Sequence, residues 1–150
     1  MIYISHRGFI NGKDTKLENN PDQIKRVMDA GAHGIVVPMV NRVQDARDAV
    51  SATRYSPEGT RGVGLARAQG YGSKFDDYLE WQKDSPIVIV QIEHKDAIDH
   101  LEDILLAPGI DGFIIGPYDL SCSMGMPGEF DRSEFKETMS FILNTGLRIG

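Results

Sequence analysis

Cysteine is nearly absent from this sequence of 150 residues, which contains only Cys122. A single cysteine excludes an internal disulfide and favours a reducing, cytoplasmic setting. We expect Cys122 to be a small packing residue, because no basic neighbour in sequence would activate its thiol. The chain also lacks long apolar runs and an N-terminal basic stretch followed by an apolar one. We therefore expect neither a membrane span nor a signal peptide.

Positive charge is in the minority, with 16 Lys and Arg residues against 22 Asp and Glu residues and a net charge of −6. The sequence has no basic patch interleaved with aromatic side chains. This composition argues against nucleic acid or an anionic membrane as a partner. At 150 residues the chain is the size of one domain. It is shorter than the roughly 250 residues of a complete (β/α)₈ barrel.

Strand-like and helix-like segments alternate along the chain, which indicates an α/β fold with a parallel sheet. Apolar, β-branched runs predict strands at 35–40, 86–93 and 110–115, each buried on both faces. Shorter strands are expected at 2–5 and 62–64, and residues 147–150 begin another, for a total of about five or six. Helices are predicted at 21–30, 42–54, 75–83, 94–109 and 134–144, the last capped by Ser133 and ended by Gly146.

Two carboxylates stand where predicted strands end. Glu93 closes the strand at 86–93, and Asp119 follows the strand at 110–115. Because a right-handed crossover through one helix joins these strands, their carboxyl ends meet on the same rim of the sheet. Ligands bind at that rim in barrel folds, so Glu93 and Asp119 are a candidate pair of ligands for a divalent metal ion. The alternative is that both carboxylates cap helices.

Several ordered motifs resemble one known family. They are DQIKRVMDAGAHGIVVPMV at 22–40, RYSPEGTRGVG at 54–64 with RA at 67–68 and YG at 71–72, QIE at 91–93, and PGIDGFIIGPYDLS at 108–121. From about residue 20 onward the chain is similar to the HpcH/HpaI family of class II, metal-dependent aldolases, which are TIM barrels. The resemblance implies one domain over 1–150, a partial TIM (β/α) barrel whose residues 1–19 form an atypical first strand and loop.

The same resemblance implies a site. Glu93 and Asp119 would hold Mg²⁺, Mn²⁺ or Co²⁺. Gln91, Gly116 and the backbone amides near Tyr118 and Asp119 would help to hold a pyruvate-like 2-oxo acid. A divalent ion on such a substrate stabilises the negative charge of an enolate. The implied activity is a lyase that reversibly cleaves a 2-oxo-4-hydroxy acid to pyruvate and an aldehyde.

The first residues depart from that family, whose catalytic histidine and arginine motifs are missing here. Residues 2–8 (IYISHRG) and 17–19 (LEN) instead resemble the opening of glycerophosphodiester phosphodiesterases. Ile35 and Val37 occupy the positions of that class's next two carboxylates, so phosphodiester hydrolysis is the least favoured function. His6 is the best substitute for the missing base and Arg7 for the missing carboxylate-binding arginine. The alternative is that neither has a role here: His6 would be a remnant of a different barrel without a partner, and Arg7 a solvated surface residue.

A second hypothesis, from another functional class, is a catalytically impaired remnant. Such a chain would bind a metal ion, a 2-oxo acid or a partner subunit without turnover. An unclosed sheet also leaves backbone N–H and C=O groups ready to pair with another chain. We therefore expect a homo-oligomer.

Overall fold

The computed structural model describes residues 19–150, in which three strands form one parallel sheet. The strands are β1 (Gly34–Val37), β2 (Ile87–Ile92) and β3 (Gly112–Ile115), with β2 in the centre. The register places Val37 of β1 opposite Val90 of β2 and Ile92 of β2 opposite Ile115 of β3. Since the pairing is parallel, all three strands end at one side of the sheet, which we call the carboxyl edge.

Helices connect and flank the strands. The α-helices of the described residues are α1 (Pro21–Asp29), α2 (Val43–Thr53), α3 (Phe75–Asp84), α4 (Leu101–Leu105), α5 (Pro117–Ser123) and α6 (Ser133–Ile149). Two 3-10 segments, Arg67–Gly72 and Lys95–His100, precede α3 and α4. No helix in this part of the chain is long and apolar enough to cross a membrane.

One face of the sheet packs against the helices. Side chains that alternate along β1 and β2 are buried there with apolar residues of α1, α2, α4, α5 and α6. The strand residues in this core are Ile35, Val37, Val88, Val90 and Ile92. On the opposite face, Ile87 and Ile114 are 36% and 37% exposed. The expectation of strands buried on both faces is wrong at these two positions, although Ile89 on the same face is only 4% exposed.

Local sequence signals account for α1. Asn20 caps the helix, and its side-chain oxygen accepts hydrogen bonds from the amides of Asp22 at 2.9 Å and Gln23 at 3.3 Å. Pro21 occupies the first helical position, where its missing N–H costs nothing. Gly31 follows the helix with φ at +96°, a conformation that glycine adopts without penalty. The predicted start and end of this helix are confirmed to within one residue.

Of the strands expected within the described residues, the three at 35–40, 86–93 and 110–115 are present, whereas those at 62–64 and 147–150 are not. The expected strand at 2–5 lies outside the described residues. Residues 62–64 form no strand, and the chain makes only an isolated parallel bridge there, between Tyr55 and Arg61. The helix expected over 94–109 is also shorter and divided into the second 3-10 segment and α4.

The C-terminal residues also differ from the prediction. Residues 147–149 continue α6 as helix instead of beginning a strand. Arg132, not Ser133, precedes the first turn of α6, and Gly146 lies inside the helix. A Cβ at Gly146 would lie only 2.5 Å from Cε1 of Phe113 on β3. Glycine at this position therefore permits close packing of α6 on the sheet and does not end the helix.

A buried polar cluster fixes the long connection between α2 and α3. The Arg61 cluster comprises Asp29, Thr53, Tyr55, Arg61 and Tyr78. The guanidinium of Arg61 donates to the Asp29 carboxylate, to the Tyr78 hydroxyl at 2.8 Å and to the Thr53 carbonyl at 3.3 Å. Its Cζ lies 4.7 Å from the Tyr55 ring centre. Burial alone would lower the pKa of Arg61, but the hydrogen bonds to Asp29 and Tyr78 raise it above its ordinary value.

Candidate functional site

Glu93 is a buried carboxylate at the carboxyl edge. It is the first residue after β2 and is 1% exposed. Its Oε1 accepts a hydrogen bond from the amide of Met39 at 2.9 Å, and its Oε2 accepts one from Nε2 of Gln91 at 2.6 Å. Both oxygens of this side chain therefore accept hydrogen bonds.

Gly116 lies directly against Glu93. Its amide donates to the Ile92 carbonyl at 3.0 Å, which extends the pairing of β2 and β3 by one residue. A Cβ at Gly116 would lie 2.8 Å from Cβ of Glu93, 3.0 Å from its Oε2 and 2.9 Å from Nε2 of Gln91. The φ of Gly116 is −97°, so its backbone conformation does not require glycine. Glycine is needed here because no room exists for a side chain beside the carboxylate.

Met39 was not predicted as part of this site. It lies two residues beyond β1, and its backbone has φ at +55°, a left-handed conformation that is uncommon for residues with a Cβ. Its side chain is 44% exposed, so its contact with Glu93 is made by the backbone. The sequence gives no signal for this conformation, because glycine and asparagine are the residues that usually adopt it.

Asp119 and Tyr118 lie in the first turn of α5, which Gly116 and Pro117 open. Asp119 is exposed, in contrast to Glu93. The Tyr118 side chain is 69% exposed, and its ring makes an edge contact with Phe130 at a centroid distance of 4.9 Å. At the other end of α5, Oγ of Ser123 accepts from the amide of Lys95 at 2.9 Å. Helix α5 thus extends from beside Glu93 to the start of the second 3-10 segment.

The structure brings Gln91, Glu93 and Gly116 into contact, as described above. His6 and Arg7, the expected base and carboxylate-binding arginine, lie outside the described residues. His94 caps the second 3-10 segment, and its Nδ1 accepts a hydrogen bond from the Asp96 amide at 3.2 Å. Cys122 is exposed, so its expected role in packing is wrong.

The chemistry of these donors fits a divalent cation. Within residues 19–150, no group of three or more His, Cys, Asp or Glu side chains is assembled as a metal site. A site built on Glu93 and Asp119 would therefore offer two carboxylates and leave other coordination positions for water and substrate, as hard cations allow. Gly116 packs directly against the Glu93 carboxylate with no side chain between them.

Comparison with known proteins identifies relatives for most of the chain. A model of the family HpcH/HpaI aldolase/citrate lyase matches residues 10–149. The 4-hydroxy-2-oxo-heptane-1,7-dioate aldolase of Salmonella arizonae is 51% identical over 112 residues, which are 73% of this chain and 42% of that protein. The chain therefore spans less than half the length of this curated relative.

Solved structures agree with this match. An HpcH/HpaI aldolase/citrate lyase family protein from Burkholderia cenocepacia has a TM-score of 0.82 and 34% identity, covering 88% of this chain and 53% of its own. The HpcH/HpaI aldolase from Desulfitobacterium hafniense has a TM-score of 0.73 and 27% identity, covering 87% of this chain and 51% of its own. The expected α/β fold of the partial TIM-barrel type is confirmed. The family match over residues 10–149 and these two structures show that the chain belongs to the HpcH/HpaI aldolase/citrate lyase family.

Proposed function

We propose that the chain is a metal-dependent carbon–carbon lyase that reversibly cleaves a 2-oxo-4-hydroxy acid to pyruvate and an aldehyde. The observation that carries the proposal is the buried Glu93 carboxylate at the carboxyl edge, with Gly116 packed against it. Membership of an aldolase/citrate lyase family supports the reaction class. The name of the Salmonella relative, a 4-hydroxy-2-oxo-heptane-1,7-dioate aldolase, supports the substrate class.

In this proposal Glu93 and Asp119 hold Mg²⁺, Mn²⁺ or Co²⁺. These ions prefer oxygen ligands, and the two carboxylates supply them from neighbouring segments of the carboxyl edge. When bound, the ion supplies Lewis-acid stabilisation of the negative charge that develops on the 2-oxo acid as it enolises.

Gln91 and the start of α5 hold the pyruvate-like acid. The side-chain amide of Gln91 has two N–H groups, so it can donate to Glu93 with one and to the substrate with the other. The first-turn amides of α5, near Tyr118 and Asp119, point toward the helix N-terminus, where backbone N–H groups favour a carboxylate. Gly116 lets the backbone at the start of α5 pack directly against Glu93 and Gln91.

His6 is the proposed base and Arg7 the proposed second contact for the substrate carboxylate. An imidazole exchanges protons near neutral pH, and a guanidinium binds a carboxylate through two parallel hydrogen bonds. Losing a positioned acid–base group typically costs about 10² to 10⁴ in rate. We therefore expect slow aldol turnover that becomes slower still in His6→Ala.

We also propose that the protein works in the cytoplasm as a homo-oligomer. The single cysteine favours a reducing compartment. The partly exposed side chains of Ile87 and Ile114, on the sheet face opposite the helices, support association with another copy. Sedimentation of the purified chain tests the oligomer, and a compact monomer would contradict it.

Deuterium incorporation into the methyl group of pyruvate tests the proposed function. The protein is incubated with pyruvate and Mn²⁺ in D₂O, and the pyruvate is analysed by mass spectrometry. We expect incorporation that EDTA abolishes and that Glu93→Gln reduces to the level of Mn²⁺ alone. Incorporation at the Mn²⁺-only level in the wild type would contradict the lyase and favour the impaired remnant, especially if Mn²⁺ still binds.

A further inference from the structure

Met39 combines two unusual properties. It is one of two non-glycine residues among the described ones that have a positive φ, and the other, Tyr71, lies between Gly70 and Gly72 at the end of the first 3-10 segment. A left-handed backbone brings Cβ of an ordinary residue too close to the following carbonyl oxygen. Such strained residues persist where the surrounding structure holds them, often at functional sites.

The contact that holds Met39 is with Glu93. The amide of Met39 donates to Oε1 of Glu93 at 2.9 Å, across 54 positions of sequence. Because Gln91 donates to the other oxygen at 2.6 Å, the carboxylate is restrained from both sides. These two hydrogen bonds oppose rotation of the carboxylate group about its terminal side-chain bond, which is otherwise a soft torsion.

We propose that Met39 is a positioning residue whose left-handed backbone aims its N–H at Oε1 and fixes the orientation of the Glu93 carboxylate for a divalent cation. This inference rests on the proposed function, because Glu93 is the metal ligand in that account. Met39 acts through Glu93 and does not itself contact the cation. A change of Met39 to a negative φ would turn its N–H away from the carboxylate and remove this hydrogen bond.

The exposure of the Met39 side chain makes the proposal testable by substitution. Since that side chain is 44% exposed, replacing it does not open a cavity in the core. Met39→Gly tolerates positive φ better than the wild type, whereas Met39→Ile tolerates it worse, because β-branched residues are genuine outliers there. Met39→Leu is the matched control, with an unbranched Cβ and similar size.

Mn²⁺ titration of the four proteins is the first measurement. We expect Met39→Gly and Met39→Leu to bind Mn²⁺ with the wild-type Kd to within about threefold. Met39→Ile should raise Kd by about 10- to 100-fold, the usual effect of losing a hydrogen bond to a charged group. Thermal midpoints recorded without metal show that each variant is folded at the titration temperature. A folded Met39→Ile that binds Mn²⁺ as tightly as Met39→Leu would overturn the proposal, because the backbone conformation of residue 39 would then have no effect on the metal site.

The amide resonance of residue 39 in the metal-free protein is the second measurement. We expect Glu93→Gln to shift this ¹H–¹⁵N signal upfield, because a neutral acceptor replaces a carboxylate, and Met39→Ile to shift it likewise. An unchanged signal in Glu93→Gln would overturn the contact and the proposal. If the wild type fails to bind Mn²⁺, the proposed function is overturned, whereas the amide signal still decides whether residue 39 positions the carboxylate.

Discussion

Gly116 shows how one residue shapes the candidate site. Its negative φ does not require glycine. Lack of space does, because a Cβ at this position would meet atoms of Glu93 and Gln91. A methyl group at this position would push against the two side chains on which the proposed metal and substrate contacts depend.

Gly116→Ala should therefore weaken Mn²⁺ binding. The added Cβ would approach Cβ of Glu93 to 2.8 Å, so either the Glu93 side chain or the β3–α5 connection must move. We expect Kd for Mn²⁺ to rise at least about tenfold, with a destabilisation of about 1 to 3 kcal/mol typical of overpacking. Isothermal titration and chemical unfolding measure the two effects.

The control for this change is Gly62→Ala, at a glycine outside the left-handed region whose nearest neighbour atom would lie 3.8 Å from the new Cβ. It should bind Mn²⁺ like the wild type. Equal Mn²⁺ affinity in Gly116→Ala and Gly62→Ala would show that Gly116 does not protect the site.

At the residue scale, the sequence predicts those site residues that stand at the end of an apolar strand. Glu93 was predicted at the carboxyl edge because it follows an apolar run, and the structure places it there. The contact from Met39 to Glu93 could not be predicted, because a positive φ in methionine leaves no sequence signature and the partners are 54 residues apart. The hydrogen-bond partners of Arg61 could not be predicted from the sequence either, because they lie on three different helices, α1, α2 and α3.

At the scale of elements, close packing of α6 on β3 depends on Gly146. The sequence suggested that this glycine ends a helix, because glycine commonly does so. The structure gives it a different role, since the ring of Phe113 occupies the space where a Cβ would lie. Local sequence does not distinguish a glycine that ends a helix from one that allows close packing inside it. Because Gly146 was expected to end the helix, residues 147–149 were expected to begin a strand, whereas they are helical.

Gly146→Ala should destabilise the protein despite the higher helix propensity of alanine. Propensity alone would add up to about 1 kcal/mol of stability. The Cβ would meet the Phe113 ring at 2.5 Å, and overpacking of this kind typically costs about 1 to 3 kcal/mol. We expect a lower free energy of unfolding in urea, and recovery when Phe113→Leu is added. A stabilised Gly146→Ala single variant would contradict the packing account.

Helices with a regular apolar spacing and strands with a continuous apolar run were predicted close to their observed positions. Helices α1, α2 and α3 and the positions of β1, β2 and β3 match the expected segments to within a few residues. The expected burial of both sheet faces holds at Ile89 but is wrong at Ile87 and Ile114, because burial depends on tertiary contacts that no single segment specifies.

At the scale of the whole molecule, the Arg61 cluster predicts how stability depends on pH. Burial raises the pKa of Tyr55 and of Tyr78 above the ordinary value, although Arg61 opposes the shift in both. The folded state therefore holds the phenolic protons more tightly than the unfolded state. This contribution to stability is complete below the unfolded pKa of about 10 and is lost as pH rises through the folded pKa.

We expect the free energy of unfolding to decline above about pH 10. In Tyr55→Phe the decline should be shallower, because one of the two buried phenols no longer titrates. Urea unfolding at several alkaline pH values measures both slopes, with Tyr118→Phe as the control at an exposed tyrosine. The same slope in Tyr55→Phe as in the wild type would contradict the assignment.

The central claim is that Glu93 and Asp119 form one divalent metal site, and Mn²⁺ titration of carboxylate variants tests it most directly. The account predicts a single site in the wild type, weakened strongly in both Glu93→Gln and Asp119→Asn, and unchanged in Asp99→Asn at an exposed carboxylate elsewhere. Wild-type Mn²⁺ affinity in both Glu93→Gln and Asp119→Asn would contradict it.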